Sequence, residues 1–209
     1  MRLILIRHGR QSSPLCNVDV DLSEEGRRQA ALLSERFRGF CPELIYTSGL
    51  LRAKQTAAIL FGEHSGFLER EELNEISFGD LTGKADALTK VEYADYYEAK
   101  KRKVRDLRIP GGECPTEVFE RAKRVVEEAI RSGAEYVVFV THGGVIRALT
   151  AGLLGIGAEQ MLLFADGLEH CSITELSYSK ETGLFSLERL NDYAHLEREP
   201  ELLRNAWKK

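Results

Sequence analysis

The stretch Leu3-Ile4-Leu5-Ile6-Arg7-His8-Gly9 constrains this chain more than any other. Four apolar residues run unbroken, and an arginine, a histidine and a glycine follow at once. So short an apolar run fits a strand buried on both faces, as in a parallel sheet covered by helices. Ligands bind such sheets where strands end and loops begin, so Arg7 and His8 fall where an α/β protein does chemistry. The pattern recurs in Tyr136-Val137-Val138-Phe139-Val140-Thr141-His142-Gly143-Gly144. Two strand-then-His-Gly units place two imidazoles at one edge of one sheet, and a site built on paired histidines is expected.

The remaining chain supplies the other layers. An irregular polar segment runs from Arg10 to Asp21, and Ser23 then caps a helix with Glu24 and Glu25 at its positive end. Ala30, Leu33 and Phe37 form the buried stripe of that helix, and Gly39 ends it. Leu44-Ile45-Tyr46 reads as a second strand, followed by a turn and a helix over about 50–60 with Arg52 in its first turn. A cation is disfavoured there by the helix dipole, which points to an anionic ligand. Phe67-Leu68 reads as a third strand and residues 73–80 as a structured loop carrying Glu75. Residues 82–108 hold three tyrosines and then a basic run (Lys100, Lys101, Arg102, Lys103, Arg105, Arg108), read as one or two helices forming a cap. The run is either a solvated helix face or a funnel steering an anionic substrate. Pro110-Gly111-Gly112 breaks the cap, Pro115 opens a helix that runs to Gly133, and a further helix is expected over 145–154. Ile173-Thr174-Glu175-Leu176 and Leu184-Phe185-Ser186-Leu187 read as a C-terminal hairpin. The last dozen residues are charged and expected to be poorly ordered. His64, His170 and His195 read as structural or surface residues.

With 209 residues, the chain is read as one domain, 1–209, with 82–108 as its cap. A net charge of −4 gives no case for nucleic acid or an anionic membrane. No apolar run is long enough to span a bilayer, and the N-terminus lacks a cleavable leader pattern. The scattered Cys16, Cys41, Cys114 and Cys171 form no CxxC pair and read as free thiols in a reducing cytoplasm. Oligomeric state is not legible.

Arg7, Arg52, His8, His142 and Glu75 together suit one chemistry. Guanidinium groups match phosphate better than ammonium groups do. An imidazole can attack phosphorus and hold the phosphoryl group covalently. Phosphoryl transfer asks for in-line positioning and stabilisation of the equatorial oxygens, which arginines, a second imidazole and helix N–H groups supply without a metal. Glu75, between apolar neighbours, is the carboxyl expected to protonate a leaving oxygen. No HxH or HExxH for zinc is present.

Several ordered motifs now acquire a common meaning. They are Arg7-His8-Gly9, Leu22-Ser23-x-x-Gly26, Ser48-x-x-x-Arg52-Ala53-x-Gln55-Thr56-Ala57, Leu73-x-Glu75-x-x-x-Gly79, Pro110-Gly111-Gly112-Glu113 and Thr141-His142-Gly143-Gly144. As an ordered set the chain resembles the histidine phosphatase superfamily in its phosphoglycerate-mutase-like branch. The resemblance implies a three-layer α/β/α sandwich with a mostly parallel central sheet and a phosphohistidine on His8. It implies phosphate contacts from Arg7, Arg52, His142 and Gly143, with Asn17 as the candidate for the family's phosphate-contacting asparagine. Glu75 would protonate the leaving group and then help activate water, with no cofactor. The chain departs from the family pattern at Arg10-Gln11, at a shortened 10–21 segment, and at Cys114, a poorer helix cap than serine. A small phosphorylated substrate is expected, its identity open. The alternatives are a cofactor-dependent phosphoglycerate mutase, which would need a longer insert and tail, and a phospho-ligand binding protein without turnover.

Overall fold

The computed structural model describes residues 1–62 and 66–204. Its centre is a six-stranded sheet in the order β3-β2-β4-β1-β5-β6. β1 (Arg2–Arg7), β2 (Leu44–Thr47), β3 (Leu68–Glu69) and β4 (Tyr136–Thr141) run parallel. β5 (Ile173–Tyr178) lies antiparallel to β1 and is extended by β6 (Phe185–Asp192).

The two apolar runs explain the layers. In β1, Leu3 and Leu5 face one side of the sheet and Ile4 and Ile6 the other. Val137 and Phe139 alternate with Val138 and Val140 in the same way along β4. The first face packs on α5 (Pro115–Ser132) and α6 (Gly143–Leu153), the second on α1 (Glu24–Arg36) and α2 (Leu51–Phe61). This is the α/β/α sandwich expected from two strands buried on both sides. From β1 the chain leaves toward the α1/α2 face, and from the neighbouring β4 it leaves toward the α6 face. Adjacent strands whose connections part to opposite faces open a crevice at their C-terminal ends.

Several boundaries differ from the sequence expectation. α6 starts at Gly143, not near 145, because His142 itself takes the N-cap position in extended geometry. β3 begins one residue later than expected, at Leu68. The hairpin strands are longer, 173–178 and 185–192, and a register irregularity near Glu175 accommodates the extra residues. Over 82–108 lie α3 (Asp86–Glu92) and α4 (Ala94–Lys101). They connect to the 10–21 segment through a Leu15–Ala85 bridge and through Cys16 N–H to Lys84 O at 3.0 Å. Cys114 proves an adequate cap for α5, since the Glu117 carboxylate takes its N–H at 3.1 Å, half of a capping box. The expected disorder at the C-terminus does not hold for 198–204: Leu202 is fully buried with Leu196 and Leu32. Residues 205–209 and His64 lie outside the described residues. Among the described residues no helix is long and apolar enough to cross a membrane.

α1 bears directly on the end of β1. A Cβ on Gly26 would collide with the Arg10 carbonyl, and one on Gly9 would stand 2.6 Å from Gly26 O. These glycines let helix and loop touch backbone to backbone, and Ser23 N–H bonds Arg10 O at 2.8 Å across the same contact. Gly26→Ala is expected to cost about 1–3 kcal/mol and to lower the thermal midpoint by several degrees. An unchanged melting curve would show that the close approach is not needed.

Candidate active site

Register decides what meets at the sheet edge. Arg7 pairs with Thr141 in the parallel β1–β4 ladder, so the next residue on each strand, His8 and His142, emerges at one level. His8 N–H bonds Thr141 O at 2.9 Å, and the ring centroids stand 4.9 Å apart. Both side chains are buried, at 4% and 0% exposure.

The tautomer of His8 follows from its partner. Its Nδ1 lies 2.6 Å from the Gly9 carbonyl, which can only accept, so Nδ1 carries the hydrogen. Nε2 therefore keeps its lone pair, and Arg52 Nε–H points at it from 3.3 Å. Two helices hold this arrangement. Thr56 on α2 accepts Gly9 N–H at 3.0 Å and gives its own hydroxyl to Arg52 O, and the buried Gln29 on α1 accepts Arg10 N–H at 2.9 Å. Arg52, 2% exposed in the first turn of α2, is one of the largest buried side chains among the described residues. Its Nη groups donate to Val18 O and to Asn17 Oδ1. Asn17 thus lies in the pocket with its oxygen holding Arg52, its backbone in the left-handed region at φ 45°.

His142 Nε2 meets Ser48 Oγ at 2.7 Å, and its buried Nδ1 has no hydrogen-bond partner. Arg7 donates through Nη1 to Leu168 O, while its buried Nε has no partner. Arg7 Nε stands 3.5 Å from where a Cβ on Gly143 would be, at the N-terminus of α6. Glu75 reaches the same place from its loop: Oε1 accepts N–H groups of Ile76 at 2.9 Å and Gly144 at 3.0 Å. A side chain at 144 would strike that carboxylate, which accounts for the second glycine of the His-Gly-Gly unit. The Glu75 loop is braced from behind. Arg121 on α5 donates to the Glu72 and Glu75 carbonyls, and Glu113 accepts Ser77 N–H at 2.7 Å. Pro110-Gly111-Gly112 passes against Gly79 too closely for any Cβ.

The resulting cavity holds about 390 Å³, within the usual range for small ligands, and is lined by Arg7, His8, Asn17, Arg52 and Glu75 among others. A larger hollow bounded by Phe37, Phe40 and Phe61 lies away from these groups and carries no comparable chemistry. Sequence reasoning missed two members of the cavity wall. His170, read as structural or surface, is buried beside His8 with ring centroids 5.7 Å apart. The antiparallel pairing of Ile6 with Ile173 brings it there, and only that register reveals it. Arg204 arrives from the far C-terminus and donates to Leu168 O at 2.9 Å, with no local signal in the sequence. The basic run resolves mostly into ion pairs: Lys101–Glu98, Lys103–Asp166, Arg105–Glu159 and Arg108–Glu117. Lys100 differs, half-buried between Tyr96 and Tyr97, and burial together with Arg147 draws its ammonium below the usual lysine range. His195 contacts Arg36 on α1 and helps hold the C-terminal segment. The four cysteines are free.

Comparison with known proteins follows the geometry. The family model of the histidine phosphatase superfamily (branch 1) matches residues 3–193. The chain is 29% identical over 212 aligned positions to a 5''-phosphoribostamycin phosphatase of Niallia circulans, covering 94% of this chain and 99% of the relative. It is 33% identical to a glucosyl-3-phosphoglycerate phosphatase of Mycobacterium tuberculosis over 84% of this chain and 85% of the relative. The solved native structure of the mycobacterial glucosyl-3-phosphoglycerate phosphatase superposes with a TM-score of 0.80 at 32% identity, covering 91% of this chain and 98% of that one.

Burial, and then crowded positive charge, set the protonation of the site. Burial, then Arg52 and Arg7, hold the His8 imidazole well below its ordinary value. Burial and His8 do the same to His142, and burial and Arg7 to His170. Burial and Arg204 bring Arg7 down to about 9, still charged at neutral pH. A histidine depressed on folding binds its proton more readily in the unfolded chain. Its contribution to stability is therefore whole above the unfolded value of 6.5 and lost as pH falls below it toward the depressed folded values. Each such histidine steepens the decline by up to roughly 1.4 kcal/mol per pH unit. Burial and Arg36 also bring His195 down to about 4, so unfolding free energy measured between pH 6.5 and 5 should drop steeply, and His170→Asn should reduce the histidine part of the slope by about a quarter. A flat profile across that window would contradict three buried neutral imidazoles.

Proposed function

The chain belongs to the histidine phosphatase superfamily, and we propose that it hydrolyses a small phosphomonoester through a phosphohistidine on His8. One observation carries the reading. Two buried nitrogens have no partner, Arg7 Nε–H and His142 Nδ1, which carries the hydrogen when the Ser48 hydroxyl donates to Nε2, and the His142 ring stands beside that of His8, whose Nε2 lone pair is held available. Buried donors left open cost stability unless an acceptor arrives, and an oxyanion between them supplies it.

In this reading the phosphoryl group enters with its equatorial oxygens toward Arg7, Arg52, His142 and the Gly143 N–H at the helix N-terminus. Arg52 Nε–H moves from His8 Nε2 to a phosphoryl oxygen, which frees the lone pair to attack phosphorus in line. The P–O ester bond breaks as the N–P bond forms, and the leaving oxygen takes a proton from the Glu75 carboxyl. Water then attacks phosphorus from the vacated side and gives its proton to Glu75, and the N–P bond breaks to release inorganic phosphate. Glu75 has one oxygen bound by two N–H groups, and its Oε2 is the one left for this exchange. Asn17 acts here by orienting Arg52. Residues 82–108 close over the cavity as a cap, with Asp86 in its lining. Positive charge comes from the guanidinium groups and the neutral His142 ring adds a hydrogen-bond donor, so the reaction needs no metal, and four free thiols suit a reducing, cytoplasmic setting.

His8→Ala should abolish release of phosphate from p-nitrophenyl phosphate, while the parent chain keeps full activity in a chelator. Turnover surviving the substitution would remove the nucleophile assignment.

Glu75→Gln should slow alkyl phosphates by about 10²–10⁴-fold, the usual span for a lost general acid, and aryl phosphates with good leaving groups far less. Equal losses on the two classes, compared as kcat/KM, would argue that Glu75 is not the proton donor.

A further inference from the structure

One hydroxyl stands behind the paired imidazoles and has a single place to send its proton. Ser48 follows β2, where Thr47 pairs with Val140, and its own N–H bonds Val140 O at 3.2 Å. That register brings its side chain to His142, and the side chain is fully buried. Among the described residues Ser48 Oγ has two polar neighbours, His142 Nε2 at 2.7 Å and Leu50 N at 3.3 Å. A backbone N–H only donates, so Leu50 fills one lone pair of the oxygen. The hydroxyl hydrogen is left with His142 Nε2 as its acceptor.

A ring nitrogen that accepts cannot also carry hydrogen, so a neutral His142 holds its hydrogen on Nδ1. Burial, with His8, Arg52 and Arg7 close by, keeps the ring neutral by holding it well below the ordinary histidine value. This Nδ1 is buried and has no hydrogen-bond partner among the described residues. The other tautomer fails twice. With hydrogen on Nε2, the ring would donate to an oxygen that already receives Leu50 N–H, and the serine hydrogen would be buried without an acceptor. Nδ1 would then turn a lone pair, not a donor, toward a phosphoryl oxygen. The serine cannot drift from this place, because Gly49 N–H, next in the chain, is held by Asn74 Oδ1 at 2.8 Å.

We propose that Ser48 is a positioning residue for phosphoryl transfer: its hydroxyl proton, given to His142 Nε2, fixes the tautomer whose Nδ1–H serves a phosphoryl oxygen. The proposal rests on the phosphatase reading and adds a group that never touches substrate. Each imidazole of the pair then has its tautomer set by one partner, the Gly9 carbonyl for His8 and the Ser48 hydroxyl for His142.

Proton–nitrogen NMR of the imidazole rings tests this in the unaltered chain. At neutral pH the His142 ring, identified by the signals that vanish in His142→Gln, should show hydrogen on Nδ1 and none on Nε2. Hydrogen on Nε2, or on both nitrogens, would overturn the assignment. In Ser48→Ala the same ring should show a mixture of tautomers, and kcat/KM for p-nitrophenyl phosphate should fall about tenfold or more, the worth of one hydrogen bond. Lost activity with an unchanged tautomer would make Ser48 a structural residue only, and mixed tautomers with full activity would show that the tautomer is not used. Either result sinks the proposal. Inorganic phosphate titrated into both chains separates the two claims. A parent chain that carries Nδ1–H and binds phosphate more tightly than Ser48→Ala, yet hydrolyses no ester, would uphold the positioning role and sink the hydrolytic reading. Absent turnover with equal affinity would sink both.

Discussion

The parallel pairing of β1 with β4 is the constraint on which the rest depends. Matching Arg7 with Thr141 sets His8 and His142 at one height. A slip by one residue would send every side chain of a strand to the opposite face, exchanging the Leu3/Leu5 and Ile4/Ile6 surfaces between two differently filled cores. The hydrophobic pattern that builds the sandwich therefore also fixes the distance between the imidazoles. Chemistry and folding share one register, and the chain cannot adjust the first without disturbing the second.

Around that edge, most motif residues serve as scaffold rather than as reacting groups. Gly26 lets α1 touch the Arg10 backbone, Gln29 and Thr56 hold the loop after β1, and Gly112 with Glu113 and Arg121 hold the Glu75 loop. Their backbone bonds satisfy loop groups that would otherwise lie buried and unpaired. They also explain why two separate irregular segments can present His8 and Glu75 with fixed orientation. The rigidity belongs to the helices on both faces and is handed to the loops through single side-chain bonds.

Charge is distributed with the same economy. The chain carries a net −4 overall, yet Arg7, Arg52, Arg147 and Arg204 lie near one pocket, while many cations on the outer surface, such as Arg28 and Arg108, are paired with carboxylates. Burial with few counter-charges keeps the three imidazoles His8, His142 and His170 neutral at physiological pH, so each ring keeps a lone pair. The cationic pocket that raises the cost of the empty fold is also the one that attracts an anion to it.

The sequence by itself pointed to the sandwich, because short apolar runs ending in polar turns fit strands buried on both sides and the ordered motifs resemble a family with that fold. It also marked Arg7, His8, Arg52, Glu75 and His142, since each stands at a strand end, a helix start or a loop where local pattern is informative. It missed His170 and Arg204, put the start of α6 two residues late, and left the basic run undecided. Those were settled by tertiary structure for one reason. His170 reaches the site through an antiparallel register, Arg204 through a C-terminal segment folded back across the molecule, and the basic side chains through partners distant in sequence. Local periodicity reports which face of an element is buried, but not which remote segment comes to lie against it.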